Sequence, residues 1–155
     1  EYDNDGYVPP PTPSTTPPPP PNCATNWTHN ADEQRCYKVF SSPSTWGMAE
    51  NHCKRLGGHL TSVGSAEEQT FIKTLPGFSG LDARYFKIWI GLHQGSETGY
   101  EWTDGTPEGF LDWDGGQPDS DDHREDCVAA NKNSMKESDD VCETYYPYVC
   151  EAQQG

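Results

Sequence analysis

The chain has 155 residues, of which 25 are acidic against 10 Lys and Arg, giving a formal net charge of -15 with only 32% hydrophobic side chains. Nucleic acid and anionic membrane are themselves negative, so this balance excludes them as partners and favours solubility and cation binding. No apolar run is long enough to cross a bilayer.

The first 22 residues are too proline-rich for a core, and residues 9 to 21 contain only Pro, Thr and Ser. Such a tract is expected to form an extended polyproline segment, a stalk that at ~3.1 Å per residue spans about 40 Å. Thr12, Ser14, Thr15 and Thr16 are candidates for O-linked sugars, with an unmodified spacer as the alternative. The chain begins at Glu1 without a signal-like stretch and reads as a processed secreted product. Residues 23–155 then form one domain of ordinary size. Asn26-Trp27-Thr28 is an acceptor pattern for N-glycosylation, in keeping with secretion.

From Cys36 onward the pattern becomes that of a folded domain. Tyr37, Val39 and Phe40 predict a short strand, and Trp46, Ala49, Cys53 and Leu56 recur at helical spacing until Gly57-Gly58 ends the run. A second helix starts at Ser65, which with Glu68 forms a capping box; it buries Phe71, Ile72 and Leu75 before Pro76-Gly77. Strands are expected at 87–92, 100–103, 126–130 and 146–151, separated by segments rich in Gly, Asp and Pro. Helices early and strands late indicate an α+β domain, two helices packed on antiparallel sheet, with a long irregular region between Gly105 and Asp126. Long ordered loops usually have a task.

Six cysteines, an even number, suggest three disulfides and an oxidising compartment, although the spacing alone leaves many pairings open. The rival reading, structural zinc, fails for want of closely spaced cysteine pairs. Two of the cysteines lie among acids, in Glu125-Asp126-Cys127 and Ser138-Asp139-Asp140-Val141-Cys142, shortly after Gln117-Pro118-Asp119. Carboxylates held this close repel one another unless a cation sits among them, and calcium is the leading candidate. The run from Asp112 lacks the glycine and terminal glutamate of a helix-loop-helix calcium loop. No nucleophile elbow stands at Ser62 or Ser65, no Cys-His pair with a free thiol is evident, and no glycine loop cradles phosphate, so an enzyme is not expected. His59 and His93 read as ordinary sheet-edge or loop residues, and Trp89, Trp102 and Trp113 as packing residues.

Cys36-Tyr37, the helix carrying Cys53 followed by Gly58-His59-Leu60, Trp89-Ile90-Gly91-Leu92, Gln117-Pro118-Asp119 and Tyr148-Val149-Cys150-Glu151 together resemble the C-type lectin-like domain family, over Cys23 to Glu151. The resemblance implies a long-form domain with bridges Cys23 to Cys36, Cys53 to Cys150 and Cys127 to Cys142. It further implies calcium ligands at Gln117, Asp119, Glu125, Ser138 and Asp139, with the Asp139 carbonyl as a further oxygen and sugar hydroxyls completing the shell. Five residues separate Asp119 from Glu125, as in sugar-binding members of the family. The departures are Ser138 in place of asparagine and Glu137 in place of tryptophan. A slip of one residue, making Asp139 and Asp140 the ligand pair, is the alternative register. A second calcium site of some relatives would want acids at Gln94 and Ser120, which lack them.

The Gln-Pro-Asp order reverses the Glu-Pro-Asn of mannose-type relatives and so resembles galactose-type members, with a cis peptide expected at Pro118. No tryptophan follows within 120–124, where His123 is the only ring beside a bound sugar. The function implied is a secreted, calcium-dependent module for galactose-type or N-acetylgalactosamine-type glycans or glycoproteins, made multivalent through its stalk. The second reading, favoured by Ser138, is a calcium-independent protein-binding domain of an immune or host-interaction kind.

Overall fold

The computed structural model describes residues 23–95, 99–118 and 126–153. Residues 1–22, where a stalk is expected, and the positions Asp119, His123 and Glu125 lie outside these. Eight strands and two helices follow in the order β1 (Thr28–Asn30), β2 (Arg35–Ser44), α1 (Trp46–Arg55), β3 (Gly58–Leu60), α2 (Ala66–Lys73), β4 (Lys87–Gln94), β5 (Tyr100–Trp102), β6 (Cys127–Asn131), β7 (Glu137–Asp140) and β8 (Tyr146–Gln153).

One sheet runs β1-β2-β8-β4-β6-β7, with β3 added to β8 and β5 to β4. Every pairing is antiparallel except β4 with β8, joined in parallel at Trp89 and Tyr148. The α+β reading therefore holds, in a mixed sheet. The short strand expected at Tyr37 extends over ten residues, and β1, β3 and β7 were not foreseen. β1 and β3 are three residues each and β7 reads Glu-Ser-Asp-Asp, so none carries an apolar alternation.

The run Lys87-Ile-Trp-Ile-Gly-Leu is apolar without alternation because β4 is covered on both faces. Ile88, Ile90 and Leu92 belong to one buried cluster with Ile72 of α2 and Leu75 just beyond it, while Trp89 belongs to another with Ala49 and Cys53 of α1. Val128 and Ala130 against Cys127 and Ala129 divide β6 in the same way. Gly91 lets the backbones meet: its N–H donates to the Thr61 carbonyl at 2.9 Å, and a Cβ there would lie 2.5 Å from the Leu60 carbonyl oxygen.

Helix ends follow local chemistry. Thr45 Oγ1 accepts from Met48 N at 3.2 Å to start α1. Leu56 forms its C-cap and stands exposed rather than packed, and Gly57 takes the left-handed φ of 92° that ends it. Ser65 Oγ accepts from Glu68 N at 3.0 Å, as a capping box requires, but the Glu68 carboxylate reaches back to Gly64 N rather than to Ser65. Its other oxygen accepts from the Tyr37 hydroxyl at 2.6 Å. The helix closes before Leu75, which is buried, whereas Phe71 is half-buried and edge-on to Tyr37.

The three disulfides are Cys23–Cys36, Cys53–Cys150 and Cys127–Cys142, leaving no free cysteine. Cys53–Cys150 fastens α1 to β8, and Cys127–Cys142 fastens the start of β6 to the residue pair beyond β7.

Candidate functional site

The site is built on β7 and on the segment that runs beside it. Antiparallel pairing with β6 sets Ser138 against Ala129 and Asp139 against Val128. On its other side β7 meets residues 112–114 through a parallel bridge between Trp113 and Glu137. Glu137 N donates to the Asp112 carbonyl and Asp114 N to the Glu137 carbonyl, both at 2.8 Å. The Asp112 side chain is held in turn by Gln69 Nε2 at 2.9 Å and Lys136 Nζ at 3.2 Å. These bonds keep its carboxyl below the usual carboxylate range, the amide of Gln69 acting most strongly.

From this anchored segment the chain turns toward the tripeptide. Gln117 N donates to the Asp114 carbonyl at 2.9 Å, Gly116 takes a φ of 80°, and the Gln117–Pro118 peptide is cis. Two glycines at 115 and 116 allow so tight a turn, and Gly116 needs its freedom at positive φ. The Gln117 side chain carries a buried Oε1 with no hydrogen-bond partner among the described residues. An amide oxygen withdrawn from water without a donor is costly, and it is a ligand type that calcium accepts.

Asp139 and Ser138 are both buried. Tyr100 Oη donates to Asp139 Oδ2 at 3.4 Å, and the Tyr100 ring meets Trp113 edge-on at 5.0 Å. Trp113 is half-buried and packs against the main core, in the supporting role expected for it, and Trp89 and Trp102 are core residues. Asp140 is engaged elsewhere, its Oδ2 accepting from Tyr146 Oη at 2.7 Å and from Lys87 Nζ at 3.3 Å. The alternative register, with Asp139 and Asp140 as a pair of ligands, thus has its second carboxylate already spoken for.

The structure brings Gln117, Ser138 and Asp139 onto neighbouring segments, joined through the bridge at Trp113. Among the described residues no group of three or more His, Cys, Asp or Glu side chains is arranged to hold a metal. The expected carboxylates Asp119 and Glu125 lie outside those residues, as does His123.

Glu137 is the site residue that the sequence pattern marked only as a departure. It is 1% exposed; its Oε1 accepts from Asp112 N at 2.6 Å, while its Oε2 is buried without a partner among the described residues. Burial pushes its carboxyl up to about 7, against the pull of the Asp112 amide. The signal was available in the chain, as an acid where the pattern has a large apolar ring.

A second cluster of acids has a structural role. Arg35 Nη1 lies 3.0 Å from Glu151, 3.7 Å from Asp104 and 3.9 Å from Glu68, tying β2, β8, α2 and the segment after β5 together. Burial, followed by the Asp104 carboxylate, pushes Glu151 up to about 9 in spite of the guanidinium, and bonds to Glu151, Ser62 and Thr106 carry Asp104 well below the usual range despite its burial. His59 on β3 pairs with Glu50 of α1 at 2.8 Å, and His93 stands on β4 with its ring tilted against Trp46. Both are sheet residues, as expected.

The profile of the family described as Lectin C-type domain matches residues 42–152. The human C-type lectin domain family 10 member A is 35% identical over 140 residues, 86% of this chain but 41% of that protein, so the chain spans about two fifths of the relative's length. The crystal structure of the C-type lectin CEL-I from Cucumaria echinata superposes with a TM-score of 0.77 at 28% identity, covering 86% of this chain and 99% of that one. A calcium-independent type II antifreeze protein superposes with a TM-score of 0.72 at 30% identity, over 84% and 94%.

Proposed function

Because the chain belongs to the Lectin C-type domain family, we propose that it is a secreted, calcium-dependent carbohydrate-binding module. The ion is held by Gln117, Asp119, Glu125, Ser138 and Asp139. Calcium takes about six to eight oxygens, so these ligands leave positions for two vicinal sugar hydroxyls. The observation that carries this reading is the buried, unpartnered Oε1 of Gln117 at the head of the Gln-Pro-Asp turn. An acceptor held there with no donor fits a cation. Asp139, on β7 just before Cys142 of the Cys127–Cys142 bridge, supplies charge to the same proposed site. The likeness to a named C-type lectin supports the same reading.

Gln117 and Asp119 offer donor and acceptor in the order that suits galactose-type glycans, with His123 as the ring beside the sugar. The natural partner is then a glycan or glycoprotein, met through domain 23–155 at the end of the stalk 1–22, with Asn26 as a glycosylation site. Weak single contacts would gain strength by multivalency.

Calorimetric titration with calcium, followed by galactose and mannose with and without chelator, tests the assignment. Millimolar calcium should bind, and galactose should bind only in its presence. Sugar retained under chelator, or no heat with calcium, sinks it. The second reading, a calcium-independent protein-binding domain, is favoured by Ser138, whose short hydroxyl is a poorer ligand than an amide, and by the likeness to a calcium-independent antifreeze protein.

A further inference from the structure

Glu137 is an unusual tenant of a buried strand. A large apolar side chain at a fully enclosed position would cost nothing in desolvation, whereas a carboxyl group there must find partners for its oxygens. Only half of it does so. Oε1 takes the Asp112 amide at 2.6 Å, and Oε2 takes nothing among the described residues. An acid kept in such a place at a cost to stability needs an explanation in what its one satisfied oxygen holds.

That oxygen holds the start of the calcium-site turn. The peptide groups of Glu137 already pin Asp112 and Asp114 from the strand side, and the Asp114 carbonyl receives the Gln117 amide at 2.9 Å. The side-chain bond adds a contact at the near end of the same segment, so Asp112 is fixed by Glu137 through both main chain and side chain. Gln117 lies three residues beyond Asp114, across two glycines with little stiffness of their own. The bond from Gln117 N to the Asp114 carbonyl is what couples Gln117 across those glycines to the held residues 112–114.

We propose that Glu137 is a positioning residue for the ion site, which through the Asp112 amide fixes the turn that presents the Gln117 amide oxygen. The inference rests on the calcium reading above and gives this chain a device of its own. Residues that orient a metal's ligands without touching the metal commonly affect affinity by about 10- to 100-fold.

The test uses the full chain with Glu137→Met, which keeps the volume and deletes the acceptor, and Glu137→Gln, which keeps an acceptor at Oε1. Calcium affinity is measured by calorimetry, and exchange of the Asp112 and Gln117 amides is followed by NMR in chelator. The Met variant should lose at least about tenfold in calcium affinity and exchange the Asp112 amide faster, while Gln restores both to within about twofold. Thermal unfolding in chelator separates this loss from a change in global stability. A measurement on the unaltered chain guards against a variant that does not fold: saturating calcium should slow exchange of the Asp112 amide, since coupling is reciprocal. Equal calcium affinity in the Met variant, or an Asp112 amide indifferent to calcium, overturns the positioning role alone. An unaltered chain that takes no calcium overturns the ion site first and the positioning role with it, so the two failures are distinguishable.

Discussion

Asp140 and Tyr146 form a hydrogen bond of 2.7 Å that commits the carboxylate one residue beyond Asp139 to β8 and, through Lys87 at 3.3 Å, to β4. On the proposed calcium reading the two neighbouring aspartates do different work, and substitution should separate them. Asp139→Asn is expected to lower calcium affinity by at least about tenfold, because it removes a charged ligand. Asp140→Asn should leave calcium affinity within about twofold and cost about 1 kcal/mol of stability in denaturant unfolding. A reversed pattern would revive the slipped register.

The Arg35 cluster predicts a pH dependence with a definite sign. Glu151 has its folded value raised from 4.5 to about 9. Its stabilising contribution is therefore complete below the ordinary carboxylate range and is lost as the pH rises through about 9, since the unfolded chain gives up the proton first. Glu137, raised to about 7, adds a slope of the same sign up to that pH. Asp104 is lowered, so its contribution is present above the ordinary range and disappears only in acid. Stability measured by urea unfolding should fall between pH 5 and 9, by at most about 1.4 kcal/mol per unit for each such group. Glu151→Gln should flatten that fall; an unchanged slope would falsify the assignment.

Two of the disulfides should separate stability from binding. Cys53–Cys150 closes 97 residues and Cys127–Cys142 closes 15. On chain entropy the first contributes about 4 to 5 kcal/mol and the second about 3. Replacing Cys127 and Cys142 by alanine should nonetheless weaken calcium binding, because it frees the ends of β6 and β7 from one another. Paired measurements of unfolding midpoint and calcium affinity on that double variant check this. Loss of stability with intact affinity would mean that the ladder of β6 with β7 suffices.

Gly91 predicts a local steric cost. A methyl group at this position would lie 2.5 Å from the Leu60 carbonyl oxygen and 3.1 Å from Thr103 Oγ1. The first neighbour is backbone and cannot turn aside. Gly91→Ala should destabilise the domain by about 1 to 3 kcal/mol in denaturant unfolding. A cost below the resolution of the measurement would mean that β3 can shift away from β4.

Acid should release the ion. Lowering the pH into the range where carboxylic acids take up protons should dissociate calcium and any bound galactose together, since both depend on ionised ligands. Parallel release profiles in calcium and sugar titrations are the expected result. Sugar retained after calcium has left would point to a binding surface independent of the ion.

Much of the scaffold was legible in the order of residues, because its signals are local. Ser65 and Glu68 announce a helix start, and Gly57 announces a helix end through a backbone conformation that other residues resist. β3 and β7 were invisible for the opposite reason. Gly58-His59-Leu60 and Glu137-Ser138-Asp139-Asp140 are strands because β8 and β6 offer them a ladder, which no local pattern records. The exposure of Leu56 is likewise a matter of where α1 stops against its neighbours.

The linear chain by itself determined the acidity, the even set of cysteines, the proline-rich composition of residues 1–22 and the tripeptide Gln117-Pro118-Asp119, all of which reside in residue identity. Tertiary structure alone decided that Asp140 belongs to Lys87 and Tyr146, that the Gln117 amide oxygen is buried without a donor among the described residues, and that Glu137 grips Asp112 from 25 residues away. The physical reason is that desolvation and hydrogen-bond partnership are properties of neighbours in space. A carboxylate in the sequence is only a charge until the fold chooses what stands beside it.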